Sequence, residues 1–145
     1  MTYDEWEKSL PDVVRNDVVF RVQAFRLASY LGACAELDTR HVVRDQRFLK
    51  SAAQLCAASG SVAANIADGY PRHSGLDRAR FFEYALDSTA EVKSWYLHTR
   101  LRLPPGTLEA RYALLTSITR LLLTMIRSSR PPRPEDSPPD SNAAS

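Results

Sequence analysis

The chain holds only two cysteines and five glycines in 145 residues, and each scarcity removes a class of proteins. Cys34 and Cys56 stand apart in apolar surroundings, without the paired spacing of a zinc or redox site, so both are expected to be small buried hydrophobes. The glycines build no phosphate-cradling loop or dinucleotide fingerprint, and no kinase motif occurs. No apolar run reaches the length of a membrane span, and the opening MTYDEWEKSL has neither the basic start nor the apolar core of a signal peptide. A cytoplasmic protein is expected. Strand-like alternation never persists along the chain, so the fold class is all-α.

What is present points to one folded domain. The hydrophobic share is 44% and the charged share 25%, ordinary for a globular protein of 16.3 kDa. The formal charge of +2 is unevenly spread: residues 15–129 hold 16 Lys+Arg against 10 Asp+Glu, leaving +6 on this part. Sixteen of the 19 bases are arginine, whose planar fork suits phosphate and carboxylate groups better than lysine does.

The helical period divides the chain into an N-terminal segment (1–15), four helices (16–129) and a Pro-rich tail (130–145). A first helix is predicted from Asn16 or Asp17 to Leu37, with one apolar stripe through Phe20, Ala24, Leu27, Leu31 and Cys34. A second stripe runs through Val18, Val22, Phe25, Gly32 and Ala35. The second helix is predicted from Arg44 to Asp68, the third from Gly75 to Leu101, and the fourth from Thr107 to Ser129 after the break LPPG. Such helices with short connections imply an antiparallel up-down-up-down four-helix bundle. The width of the apolar faces on the first and fourth helices points to a homo-oligomer. The tail holds five prolines from residue 131 on and no large apolar side chain, so it is expected to stay disordered.

The densest run of polar groups, ADGYPRHSGLDRARFF, is a corner between helices two and three. Gly69 fits a left-handed residue closing helix two, Pro71 prevents continuation, and Ser74 caps helix three with Asp77 in a box-like position. A catalytic reading, with His73 as base, Ser74 as nucleophile and Asp68 or Asp77 as orienter, lacks the strand and flanking glycines of a nucleophile elbow. Metal chemistry is equally unsupported. No Glu-x-x-His occurs, Asp38 to His41 falls in a predicted loop, and His98 has no second ligand at metal spacing. Glu83, Asp87 and Glu91 share a helix face that Arg78 and Arg80 are placed to neutralise. No catalytic residue, metal or cofactor is assigned.

The phrase SVAANIADGYPRHSGLDRARFFEYALDSTAEVKSW, residues 61–95, resembles the bacterial family of 23S rRNA intervening-sequence proteins. The matching positions are Ser61, Val62, Asn65, Ile66, Ala67, Gly69, Arg72, Ser74, Phe81, Phe82, Ser88 and Glu91. Asp68 stands where that family usually has Glu. The resemblance implies a four-helix bundle assembling as a ring-like homopentamer. It extends to the accessory proteins of diversity-generating retroelements, basic pentameric bundles that bind nucleic acid and a reverse transcriptase. The motif residues Asn65, Asp68, Gly69, Arg72, Ser74 and Glu91 are expected to be mainly structural, with Asn65 fixing helix packing so that Asn65→Ala destabilises the fold.

The expected function is non-catalytic: an oligomer binding RNA or DNA through the phosphate backbone, since charge adds across a ring, its finer form being an accessory subunit of a reverse transcriptase in a diversity-generating retroelement. The preferred contacts are Arg40, Arg44, Arg47 and Lys50 around the start of helix two, joined by Arg100 and Arg102. Arg72, Arg78 and Arg80 surround the next corner, at the other end of the helices. Base stacking is not expected, because Trp95, Phe81 and Phe82 read as core. The alternative is a protein-interaction scaffold without a nucleic-acid role, its partner a protein such as a reverse transcriptase.

Overall fold

The computed structural model describes residues 1–132 and Pro139, so the Pro-rich tail expected at 130–145 lies almost wholly outside the described residues. Those residues are helical and contain no strand. Among them six helices follow one another: α1 (Tyr3–Ser9), α2 (Asp12–Arg15), α3 (Gln23–Val42), α4 (Leu49–Gly69), α5 (Gly75–Thr99) and α6 (Thr107–Ser129). Turns of 3-10 helix at Val18–Arg21, Gln46–Phe48 and Arg100–Arg102 flank the long helices. Among the described residues, no helix is long and apolar enough to cross a membrane.

The helix starts follow from local chemistry. Thr2 and Glu5 form a reciprocal capping box on α1. Asp17 does act as a cap, but of the 3-10 turn, accepting from the Val19 N–H; Val22 is extended, so α3 begins later than the predicted Asn16 or Asp17. Asp45 likewise caps the turn Gln46–Phe48 and moves the start of α4 from Arg44 to Leu49. Ser74 caps α5 by accepting from the Asp77 N–H, and Gly106 enters α6 in the left-handed region at φ +82°.

Each of the four long helices packs on its neighbour in the chain, and α6 returns to α3, which closes the circuit. The enclosed core runs through Leu31, Leu55, Ile66, Phe82, Tyr96, Leu115 and Leu122, with alanines of α3 and α5 between them. Burying a large apolar side chain of this kind contributes about 1.5–3 kcal/mol. The N-terminal residues pack beside α3: Trp6 is buried, with its ring 5.6 Å from Tyr30 and 6.4 Å from Phe20.

Two glycines serve close approach rather than turning. Gly69 is the last residue of α4 and lies outside the left-handed region that the sequence suggested. A Cβ there would sit 2.7 Å from Phe81 Cβ and 3.1 Å from the Phe82 ring, so its absence lets the end of α4 meet the start of α5. A Cβ on Gly75 would overlap the Ser129 carbonyl oxygen where α5 begins beside the end of α6.

Asp38, expected in a loop, lies instead in the last turns of α3 and is buried. It accepts from the Tyr96 hydroxyl at 2.8 Å and from Arg111 Nε at 2.7 Å and Nη2 at 3.1 Å. This three-helix junction supplies the tertiary contact that carries α3 past Leu37 to Val42. Burial and the adjoining Asp38 charge both push the Tyr96 hydroxyl far up, while hydrogen bonding to Asp38 raises Arg111.

Candidate nucleic-acid interface

The expected contact residues fall into two groups at opposite ends of α5. Their nearest members, Arg80 and Arg100, are 20 positions apart along α5 and its cap, roughly 30 Å along the axis, so they form no single patch. In the first group, Arg40 lies in the last turn of α3, Arg44 just beyond it, Arg47 in the turn Gln46–Phe48, Lys50 at the start of α4, and Arg100 and Arg102 in the turn after α5.

Two members of the first group, Arg47 and Arg102, come together at one acid. Asp45 accepts from Arg47 Nε at 3.0 Å and Nη2 at 2.7 Å, while Arg102 Nε lies 3.4 Å from the same carboxylate. The Arg47 hydrogen bonds, helped by the charge of Arg102, hold the Asp45 carboxyl down at about 2. Two arginines from separate elements are thereby set side by side and partly neutralised. Arg40 pairs with Glu36 at 3.7 Å. Among the described residues, Arg44, Lys50 and Arg100 are exposed and form no ion pair, which leaves them the most available to an incoming anion.

The second group serves the corner's own geometry. Arg78 donates to the carbonyls of Arg72 and His73 at 2.8 and 3.0 Å, closing the α4–α5 connection. Arg72 donates to the Asp68 carbonyl at 3.0 Å and lies 4.7 Å from the centre of the Phe81 ring. Arg80 pairs with Asp77 at 3.2 Å and approaches the same ring at 5.5 Å. These arginines therefore do not neutralise Glu83 as the sequence suggested; Glu83 pairs with Arg130. His73 and Ser74 are exposed, and the Ser74 hydroxyl is the helix cap.

Three further expectations change. Asn65 donates to the Ser61 carbonyl at 2.8 Å within its own helix, so its partner does not come from another helix. Cys34 is buried as expected, but Cys56 is exposed, with its sulfur 3.5 Å from Thr39 Oγ1. Trp95, read as core, does pack against the core but is only partly buried; its indole N–H donates to Glu91 at 3.3 Å and its ring meets His98. Phe82 is buried in the core, while Phe81 is half-covered.

The 23S rRNA-intervening sequence protein family matches residues 33–123, well over half of the chain, from the middle of α3 to the last turns of α6. The chain belongs to this family. Among solved structures, it is similar to a protein of unknown function from the S23 ribosomal protein family of Bacteroides thetaiotaomicron VPI-5482, whose crystal structure was solved at 1.70 Å. That protein is 19% identical, with a TM-score of 0.64, and the match covers 72% of this chain and 98% of that one. At that identity the likeness speaks to the fold. No curated protein matches the sequence. The matched stretch of the 23S rRNA-intervening sequence family includes the corner motif and the whole of the first basic group, from Arg40 to Arg102.

Sequence reading missed Asp38, Tyr96 and Arg111 as a unit, because residues 58 and 73 positions apart carry no local signal of their meeting. It also missed Asp45 as an organiser, although an acid two residues before Arg47 is the ordinary mark of a cap.

Proposed function

We propose that this family member is a non-catalytic nucleic-acid-binding protein that engages RNA or DNA through the phosphate backbone at the end formed by Arg40, Arg44, Arg47, Lys50, Arg100 and Arg102. The observation that carries this reading is the meeting of Arg47 and Arg102 at Asp45, which sets a base from the turn before α4 beside one from the turn after α5. Phosphate contacts of this kind position a strand without reading its bases.

The closed circuit of α3, α4, α5 and α6 supports an antiparallel up-down-up-down four-helix bundle, and the family resemblance supports its assembly as a ring-like homopentamer; the cytoplasm is the proposed location. Repetition of the basic end around a ring multiplies the phosphates engaged and steepens the salt dependence.

A protein-interaction scaffold is the second reading, with a partner such as a reverse transcriptase. It is favoured by an open, mostly apolar groove lined by Val22, Tyr70, Phe82, Leu121 and Met125. In this reading the basic end only solvates the helix tips.

The deciding experiment titrates the full chain, its mass fixed by light scattering, with labelled RNA, single-stranded DNA and duplex DNA across a salt series. Steep loss of binding with salt is expected. A triple Arg44→Ala, Lys50→Ala, Arg100→Ala variant is expected to flatten that slope, and Asp45→Asn to steepen it by releasing Arg47 and Arg102. No binding at low salt refutes the nucleic-acid reading and leaves the scaffold.

A further inference from the structure

A row of planar side chains crosses the gap between α4 and α5 beside the basic end. Trp95 and His98 are one helical turn apart on α5, with ring centres 5.8 Å apart at an interplanar angle of 81°. His98 is next met by Phe48, from the turn before α4, at 5.5 Å. Phe48 in turn lies 5.3 Å from the Arg102 guanidinium. The row thus runs from indole to imidazole to phenyl to guanidinium, and its last member is already part of the Asp45 cluster.

The row is more open than the buried Phe82 and Tyr96: Trp95 packs one side against the core and is, like Phe48 and Arg102, partly covered, while His98 is exposed. Two acids adjoin the row: Glu91 holds the indole N–H, and Asp45 holds Arg47 and Arg102. Both are engaged with protein donors. Arg47, Lys50 and Arg100 flank the row in sequence and supply charge for a backbone running beside it.

Planar groups next to cations are what a single strand requires. Every unpaired base offers a face for stacking, whereas a duplex hides those faces and presents only phosphates and groove edges. We infer that Trp95, His98, Phe48 and Arg102 form a stacking platform that makes this end selective for single-stranded nucleic acid over duplex. This inference rests on the nucleic-acid reading above and adds the form of the ligand.

The test uses the full-length chain carrying Trp6→Phe, so that Trp95 is its only tryptophan. Oligouridylate, oligothymidylate and a duplex of equal length are titrated at one low salt concentration, following both labelled-strand binding and tryptophan fluorescence. Both single strands are expected to bind more tightly than the duplex and to quench Trp95. His98→Ala, at an exposed position, is expected to weaken single-strand binding about fivefold to tenfold while leaving duplex binding unchanged. Phe48→Leu preserves apolar volume and is expected to act in the same direction, with circular dichroism confirming the fold.

Tighter binding of oligouridylate than of oligothymidylate, with both quenching, supports the platform and adds a preference for RNA. Equal binding of duplex and single strands, without quenching and without an effect of His98→Ala, overturns the platform but leaves backbone binding standing. Failure of every nucleic acid to bind overturns both.

Discussion

Asp38 and Arg111, 73 residues apart in sequence, meet in a two-pronged ion pair with the Tyr96 hydroxyl on the same carboxylate. The carboxylate thereby joins α3, α5 and α6 at a single point. Its oxygens are shared among three donors, so the buried charge is both paired and hydrogen-bonded.

Removing the carboxylate is expected to cost more than a surface ion pair is worth. Asp38→Ala leaves the Arg111 charge and the Tyr96 hydroxyl without their partner and is expected to destabilise the fold by about 3 kcal/mol. Urea unfolding measures it. An Asp38→Ala, Arg111→Met double variant should recover part of the loss; a double variant no better than the single would show that the ion pair is not the source.

The glycines separate a packed position from an open one. Gly69→Ala forces a methyl group against Phe81 and Phe82 and is expected to cost about 1–3 kcal/mol. A methyl group on Gly60 would meet nothing within 4 Å, so Gly60→Ala is expected to stabilise the chain by about 0.5–1 kcal/mol through helix propensity. Thermal melts of the two variants should move in opposite directions. A drop for Gly60→Ala that grows with protein concentration would show that this face of α4 is covered by another copy.

Alkaline pH tests two tyrosine hydroxyls, Tyr30, which is partly covered, and Tyr96, which is buried. Burial, then hydrogen bonding to Cys34, pushes Tyr30 up to about 12, and burial with the Asp38 charge pushes Tyr96 higher still. An unfolded tyrosine ionises near 10. Both groups therefore contribute stability that is complete below pH 10 and is lost as the pH rises from about 10 through 12 and beyond. Tyrosinate absorbance combined with circular dichroism should show these two ionising together with unfolding. Titration of Tyr96 near pH 10 in the folded protein would contradict its buried placement.

The sequence alone determined the helical class and the approximate extent of the four long helices, because periodicity, caps and breakers are local. Ser74 before α5, Gly106 before α6 and the proline after Gly69 act through neighbouring residues and can be read without the fold. The clustering of bases around Arg44, Arg47 and Lys50 was legible for the same reason. Tertiary structure alone decided that Arg102 joins them through Asp45, that Phe48 reaches His98, and that Asp38 lies in a helix facing Arg111. It also turned Gly69 from a supposed left-handed cap into a point of close helix contact and put Cys56 at the surface. Each of these depends on which helix faces are brought together, and helical periodicity specifies a face without specifying its partner.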